Sequence, residues 1–171
     1  TRRVLTTPAE RAVHATLHTA SLAARPLRRG LTVDSATEAV PHLRVLTGAV
    51  ALGIVDRVGE LLAWDGPHRD LAAEVTAAAR RAIDGERRVL VSSPADDPAV
   101  RALVAQPLVI DDSGVIGVLA VVTTQAPGPG TLAAVTEVAR YACSQIELAE
   151  LDASRARLDR AEVRALRAQI S

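Results

Sequence analysis

The sequence predicts an α+β domain: an antiparallel sheet of about five to six strands flanked by helices, with long N- and C-terminal helices. Three observations carry this. Five short runs rich in Val, Leu and Ile occur at 49–55, 60–64, 88–92, 103–110 and 115–122, separated by turn chemistry such as Asp56-Arg-Val-Gly59 and Asp111-Asp-Ser-Gly114. The first two and the last two runs lie close enough in sequence to form antiparallel hairpins. From Thr131 onward the chain has no Gly or Pro, so one helix can run to the end.

The elements follow in order. Thr7-Pro-Ala-Glu10 is a helix start, with Thr7 as cap, Pro8 in the first helical position and Glu10 placed to close a capping box. Ala12, Val13, Leu17, Ala20 and Leu22 give this helix an apolar stripe to about Ala24, where Arg25-Pro-Leu-Arg-Arg-Gly30 is expected to end it. A second helix is expected over 33–47, starting near Asp34 or Ser35 and kinked or turned at Pro41. A third, from His68 to about Asp84, carries Leu71, Val75, Ala78 and Ile83 on one face. Pro107 falls inside the fourth strand run, so it belongs at a bulge or where the ladder does not need its missing donor. The last helix starts after Ala126-Pro-Gly-Pro-Gly130. Helical throughout, it would span about 60 Å, more than a small domain can cover. Three segments result: an N-terminal helix over 1–30, a sheet domain over 31–145, and a signalling or coiled-coil helix over 146–171.

Composition narrows the function. Apolar residues make up 49% of the chain, yet Phe is absent and Trp64 and Tyr141 are the only aromatics, so few faces exist to stack bases or flavins. All twenty basic residues are Arg and twenty acids balance them, which removes any broad pull toward nucleic acid or anionic membrane. The single cysteine, Cys143, excludes an internal disulfide and a multi-thiolate zinc site and fits a reducing, cytoplasmic setting, although the parent can be membrane-associated. No apolar run is long enough to span a bilayer. Thr1 in place of Met and the uncapped end at Ser171 lead to the expectation of a module cut from a longer protein.

Two stretches carry a resemblance. The element order, together with Ala105-Gln-Pro-Leu-Val-Ile-Asp-Asp-Ser-Gly-Val-Ile-Gly-Val-Leu-Ala120, resembles a GAF domain, in which a Pro-Leu strand, a polar-Gly turn and a Gly-Val-Leu strand form the last hairpin. The closing Arg160-Ala-Glu-Val-Arg-Ala-Leu-Arg-Ala-Gln-Ile-Ser171 resembles the run that precedes the phosphoacceptor-histidine segment in LytS/YehU-type sensor histidine kinases. The stretch 10–24 and Leu61-Leu-Ala-Trp-Asp-Gly66 are similar to the sensor region of actinobacterial-type members. The resemblance implies a sensory and dimerising module of a two-component kinase. The ATP-dependent kinase core of the parent would lie beyond Ser171, and a response regulator would be the parent's partner. No catalytic residue carries over to this chain.

The candidate sites follow from this. In GAF domains a ligand pocket lies between the sheet and its covering helices and loops, which points here to Trp64, Asp65, His68, Ser92, Ser93 and Arg101 and to the strand 115–121; no cofactor is evident, and an unknown small molecule is the ligand class expected. The alternative is a ligand-free dimerisation module, in which Trp64 caps the core and Asp65 makes a turn, with Asp96, Asp97 and Arg101 solvated. The acidic, Asn and Lys pattern of cyclic-nucleotide GAF domains has no counterpart, since the chain lacks Lys. A stand-alone enzyme would need a nucleophile–base pair, a carboxylate pair or a phosphate loop, and none is evident. His14 and His18 share a helix face at metal-ligating spacing but lack a companion carboxylate or thiolate, so they are assigned to a helix interface and no metal is expected. Cys143, between Ala139 and Ile146 on an apolar stripe, is assigned to packing. On the last helix, Leu148, Leu151, Leu158, Val163, Leu166 and Ile170 are candidates for a self-pairing surface. Leu151 and Leu158 are seven apart, while the Val163–Leu166–Ile170 stripe is offset by five, a phase break where helix register can change. The Arg-rich tail is interleaved with acids, which favours a solvated coiled-coil flank over nucleic-acid binding.

Overall fold

A computed structural model describes residues 7–170. Residues 1–6 and Ser171, parts of the first and last expected segments, lie outside the described residues. The chain runs α1 (Pro8–Leu27), α2 (Val33–Thr47), β1 (Ala51–Asp56), β2 (Leu61–Asp65), a 3₁₀ turn (Arg69–Leu71), α3 (Ala72–Gly85), β3 (Val89–Ser92), β4 (Ala102–Ile110), β5 (Gly114–Thr123) and α4 (Pro129–Ile170).

Local chemistry sets the helix ends. Thr7 and Glu10 form the expected capping box: the Thr7 hydroxyl accepts from the Glu10 amide at 3.0 Å and the Glu10 carboxylate from the Thr7 amide at 3.3 Å. Thr32 and Ser35 repeat the device at α2, and Ser35, expected near the helix start, also donates to the Gly30 carbonyl at 2.6 Å. Two prolines end nothing. α1 continues through Pro26 to Leu27, past its expected stop near Ala24, because Pro26 and Leu27 are both buried in the core and that packing outweighs one lost hydrogen bond. α2 likewise runs through Pro41 to a left-handed Gly48. The third helix begins later than His68: residues 69–71 form a 3₁₀ turn before α3.

The five strands form one antiparallel sheet in the order β2-β1-β5-β4-β3. Both expected hairpins are present, and β1 joins them by pairing with β5 from Ala51↔Val122 to Asp56↔Gly117. Pro107 faces Val118 next to a bulge at Leu108/Val109, and β3 stops opposite Ala105, so no strand asks for its missing donor.

Period-two alternation splits the core between two faces. Leu52, Ile54, Val104, Leu108, Leu119 and Val121 pack against α1, α2 and α4. Ala51, Val55, Leu103, Ala105, Val118, Ala120 and Val122 pack against α3. α4 lies along the first face: Thr136 accepts from Arg88 at 3.1 Å, Tyr141 donates to the Ala20 carbonyl at 3.1 Å, and the Gln145 side chain accepts from Arg28 at 2.7 Å. Near the β4–β5 turn the Ser113 hydroxyl approaches the Glu150 carboxylate to 3.5 Å. From Leu151 the helix continues for 20 residues that are exposed except for a half-buried Ser154, about 30 Å of free helix.

The close neighbours of Gly117 are the Leu31 side chain, from the α1–α2 connection, and the Val55 carbonyl, each 2.8 Å from where a Cβ would stand. Gly117→Ala therefore has to displace backbone, and chemical denaturation should show a loss of about 1–3 kcal/mol. Gly128→Ala, with open space around it, should stay within about 0.5 kcal/mol.

Candidate functional site

The six residues expected to line a pocket do not meet at one point. Trp64, on β2, lays its indole over Gly53 of β1, where an added Cβ would come within 2.8 Å of ring atom Cε3. The indole N–H donates to the carbonyls of Gly66 at 3.0 Å and Pro67 at 3.1 Å, so the side chain braces its own turn. Asp65, next along the strand, has the opposite orientation and pairs with Arg44 of α2, away from α3. Ser92 pairs with Ala102, the Ser93 amide donates to the Arg101 carbonyl at 2.9 Å, and the Arg101 amide donates to Thr123 at 2.9 Å; all three sit at the β3–β4 side. β2 and β3 are opposite edges of the sheet, about 19 Å apart at the usual strand spacing.

One contact crosses that distance. The 93–101 loop buries Val100 against the α3 face and brings the Asp97 carboxylate to 3.9 Å from His68 Nδ1. His68 and Ser93 both hold left-handed backbone, at φ 67° and 49°, so the loop ends are conformationally strained. Beneath them the α3 face is filled: Leu71, Val75, Ala78, Ala79 and Ala82 rest on the strands. The buried polar side chains among the described residues, Ser35, Thr47 and Gln145, belong to α2 and α4. A ligand on the α3 side would meet an apolar wall.

On the other face, Gln106, Pro107, Val109, Thr136, Ala139, Arg140 and Cys143 line a cleft of about 230 Å³ between β4 and α4. The Gln106 side-chain oxygen is buried there without a hydrogen-bond partner. Sequence reasoning missed Gln106, because a Gln beside a strand proline carries no signal of its own. Burial pushes the Cys143 thiol up from 9.0 to about 11, partly offset by a backbone hydrogen bond from Val109 and reinforced by the charge of Glu147. Burial thus favours the neutral thiol over the thiolate that nucleophilic attack requires.

The self-pairing candidates are all on the surface. Leu148, Leu151, Leu158, Val163, Leu166 and Ile170 are exposed, with Ile170 at 85%. The first half of α1 is equally bare: Val13, His14, Leu17 and His18 are exposed, and of its apolar stripe Ala12, Val13, Leu17 and Leu22 face solvent while Ala20 is half-buried. Among the described residues no group of three or more His, Cys, Asp and Glu could hold a metal ion, and no helix is long and apolar enough to cross a membrane.

No protein-family model and no curated protein sequence matches the chain. Solved structures do. The GAF domain of a protein described as a sensor histidine kinase, from Pseudomonas syringae pv. tomato, superposes with a TM-score of 0.57 at 15% identity, over 87% of this chain and 97% of that one. The chain has a GAF-like fold. Free methionine-R-sulfoxide reductase from Neisseria meningitidis aligns with a TM-score of 0.55 at 16% identity, over 88% and 97% of the two chains. A phycoerythrobilin-bound GAF domain from a cyanobacterial phytochrome gives 0.53 at 15% identity, over 86% and 98%. These likenesses establish the architecture on which sensing, catalysis and chromophore binding have each been built.

The Cys143 environment makes two predictions. At pH 8 the folded protein should react with iodoacetamide far more slowly than the urea-unfolded chain. A thiol whose folded value lies above its unfolded one contributes stability that is intact below pH 9 and is lost as pH rises toward 11. Denaturation midpoints should therefore fall across that window, and less so in Cys143→Ala.

Proposed function

We propose that this chain is the sensory, regulatory and dimerising domain of a two-component sensor histidine kinase of LytS-like type, acting in the cytoplasm, with α4 as its output to a downstream kinase core and, through the parent, to a response regulator. The observation that supports this best is the division of α4. Its first half walls the core through Val135, Val138, Ala139, Ala142 and Ile146, and its second half leaves the domain as free helix. Most helical stability comes from packing an apolar face, and this half leaves Leu151, Leu158, Val163, Leu166 and Ile170 exposed, so it calls for a partner. The bare stripes on α1 and α4 suit a second copy of the chain. The likeness to a sensor-kinase GAF domain and the resemblance of residues 160–171 to the pre-histidine run point the same way.

A signal can act through such a helix only if it favours one arrangement of the pair over another. The phase break between Leu158 and Val163 divides the apolar surface into two seams, so pairing along one leaves the other rotated out. This supplies the two states between which an input can choose.

The filled α3 face favours a second reading of the input, in which the domain binds nothing and couples an upstream event, entering through α1, to α4. Trp64 is the only tryptophan and lies on the α3 side, so its fluorescence separates the readings: a ligand entering there should shift its emission, whereas pure coupling leaves it unchanged.

Self-pairing has its own test. With Cys143 replaced by Ala, Leu166→Cys should form a disulfide-linked homodimer under mild oxidation, since in-register parallel helices bring equivalent seam positions together. Val45→Cys, exposed on α2, should not. Equal crosslinking at both positions would mean random collision and would defeat the pairing.

A further inference from the structure

Compensation of the tail's arginines by interleaved acids holds for Arg155, which has Asp152 three residues before it and Asp159 four after. It does not hold for Arg157, Arg160 or Arg164. Arg157, Arg160, Arg164 and Arg167 are spaced three, four and three apart, so they stand in one column about 15 Å long on α4. No Asp or Glu lies three or four residues from Arg157, Arg160 or Arg164. All are exposed, Arg157 has only the Ser154 hydroxyl at 3.0 Å, and no ion pair among the described residues involves Arg157, Arg160 or Arg164. Arg160, Arg164 and Arg167 also border a shallow concavity with Val163 and Asp159.

We propose that this column is a docking strip for a partner helix bearing a matching column of carboxylates. Like charges three and four residues apart oppose one another along a helix, so the column is relieved by an anionic partner. A second copy of the chain cannot supply one. In a parallel pair built on Val163, Leu166 and Ile170, Arg167 faces the other helix's Glu162, but Arg160 faces Arg155, and Arg157 and Arg164 point away from the seam. One carboxylate then serves four guanidinium groups. The column's surroundings choose among outside partners. Asp152 and Asp159 lie roughly a third of a turn away on the same helix, where a broad anionic surface, whether duplex or bilayer, would press against them. A narrow helix laid along the column avoids Asp152 and can turn an uncharged residue toward Asp159 at the edge of the concavity, and glutamates at the same three-four spacing repeat its pitch, each able to pair with a guanidinium.

The inference goes beyond self-pairing and can fail separately from it. The probe is a fluorescein-labelled helical peptide with glutamates in one column at three-four-three spacing. The control is a peptide of the same composition with its glutamates spread around the helix, and duplex DNA and phosphatidylserine vesicles serve as competing anions. By fluorescence anisotropy the column peptide should bind about tenfold or more tighter than the control. The Arg160→Gln/Arg164→Gln double variant should weaken it about tenfold, while Arg155→Gln leaves it within about twofold. Light scattering on the same samples should show an unchanged subunit count, since both substituted positions lie off the apolar seam. Equal binding of the two peptides, binding indifferent to the double substitution, or tighter binding of DNA or vesicles would each overturn the strip. A monomer that still binds the column peptide would overturn the pairing and leave the strip standing.

Discussion

The central strand β5 is buried from Ile116 through Val122 with apolar side chains on both faces, and the rest of the molecule answers that demand. A strand of this kind has to be hydrogen-bonded on both sides and roofed on both sides. β1 and β4 satisfy its backbone, α3 covers one face, and α1, α2 and α4 cover the other. With Phe absent, both cores are filled by aliphatic and small side chains, which brings α3 down onto the sheet through alanines and fixes α4 against β4. Gly117 is the point where this closeness is sharpest, since the Val55 carbonyl and the Leu31 side chain occupy the space a Cβ would need.

α4 stands half inside that core and half outside it. Its buried half is locked to the domain by apolar packing and by the Tyr141 and Gln145 hydrogen bonds to the chain segment 20–28. Its exposed half continues the same helix but contributes no buried residue among those described. A rotation of the buried half is therefore carried along the free half of the same helix. The same asymmetry holds for α1, bare at its start and buried at its end.

Much of the architecture was legible in the sequence because it is written locally. Capping boxes, hairpin turns and the long uninterrupted helix each depend on residues within a few positions of one another. What was not legible depends on distant partners. Pro26 looks like a stop until its burial beside Leu27 is known, and nothing local says that β1 must bridge the two hairpins. The pocket residues were chosen by proximity in sequence to two strand ends that the sheet order places at opposite edges. Asp65 was grouped with Trp64, although alternation along a strand sends neighbours to opposite faces, and Arg44 holds it there. The arginine column is a different case. Its three-four-three spacing was visible throughout, but counting acids along the tail concealed that none stands three or four residues from Arg157, Arg160 or Arg164.

In the function proposed above, the free half of α4 pairs in parallel with a second copy. The most direct measurement is double electron–electron resonance between nitroxides placed at Leu166→Cys in a Cys143→Ala background, in frozen dilute solution. Parallel pairing predicts one narrow short-distance population set by an interhelical spacing of about 10 Å plus the label arms. A long or unmodulated trace, with each tail isolated in solvent, would contradict it.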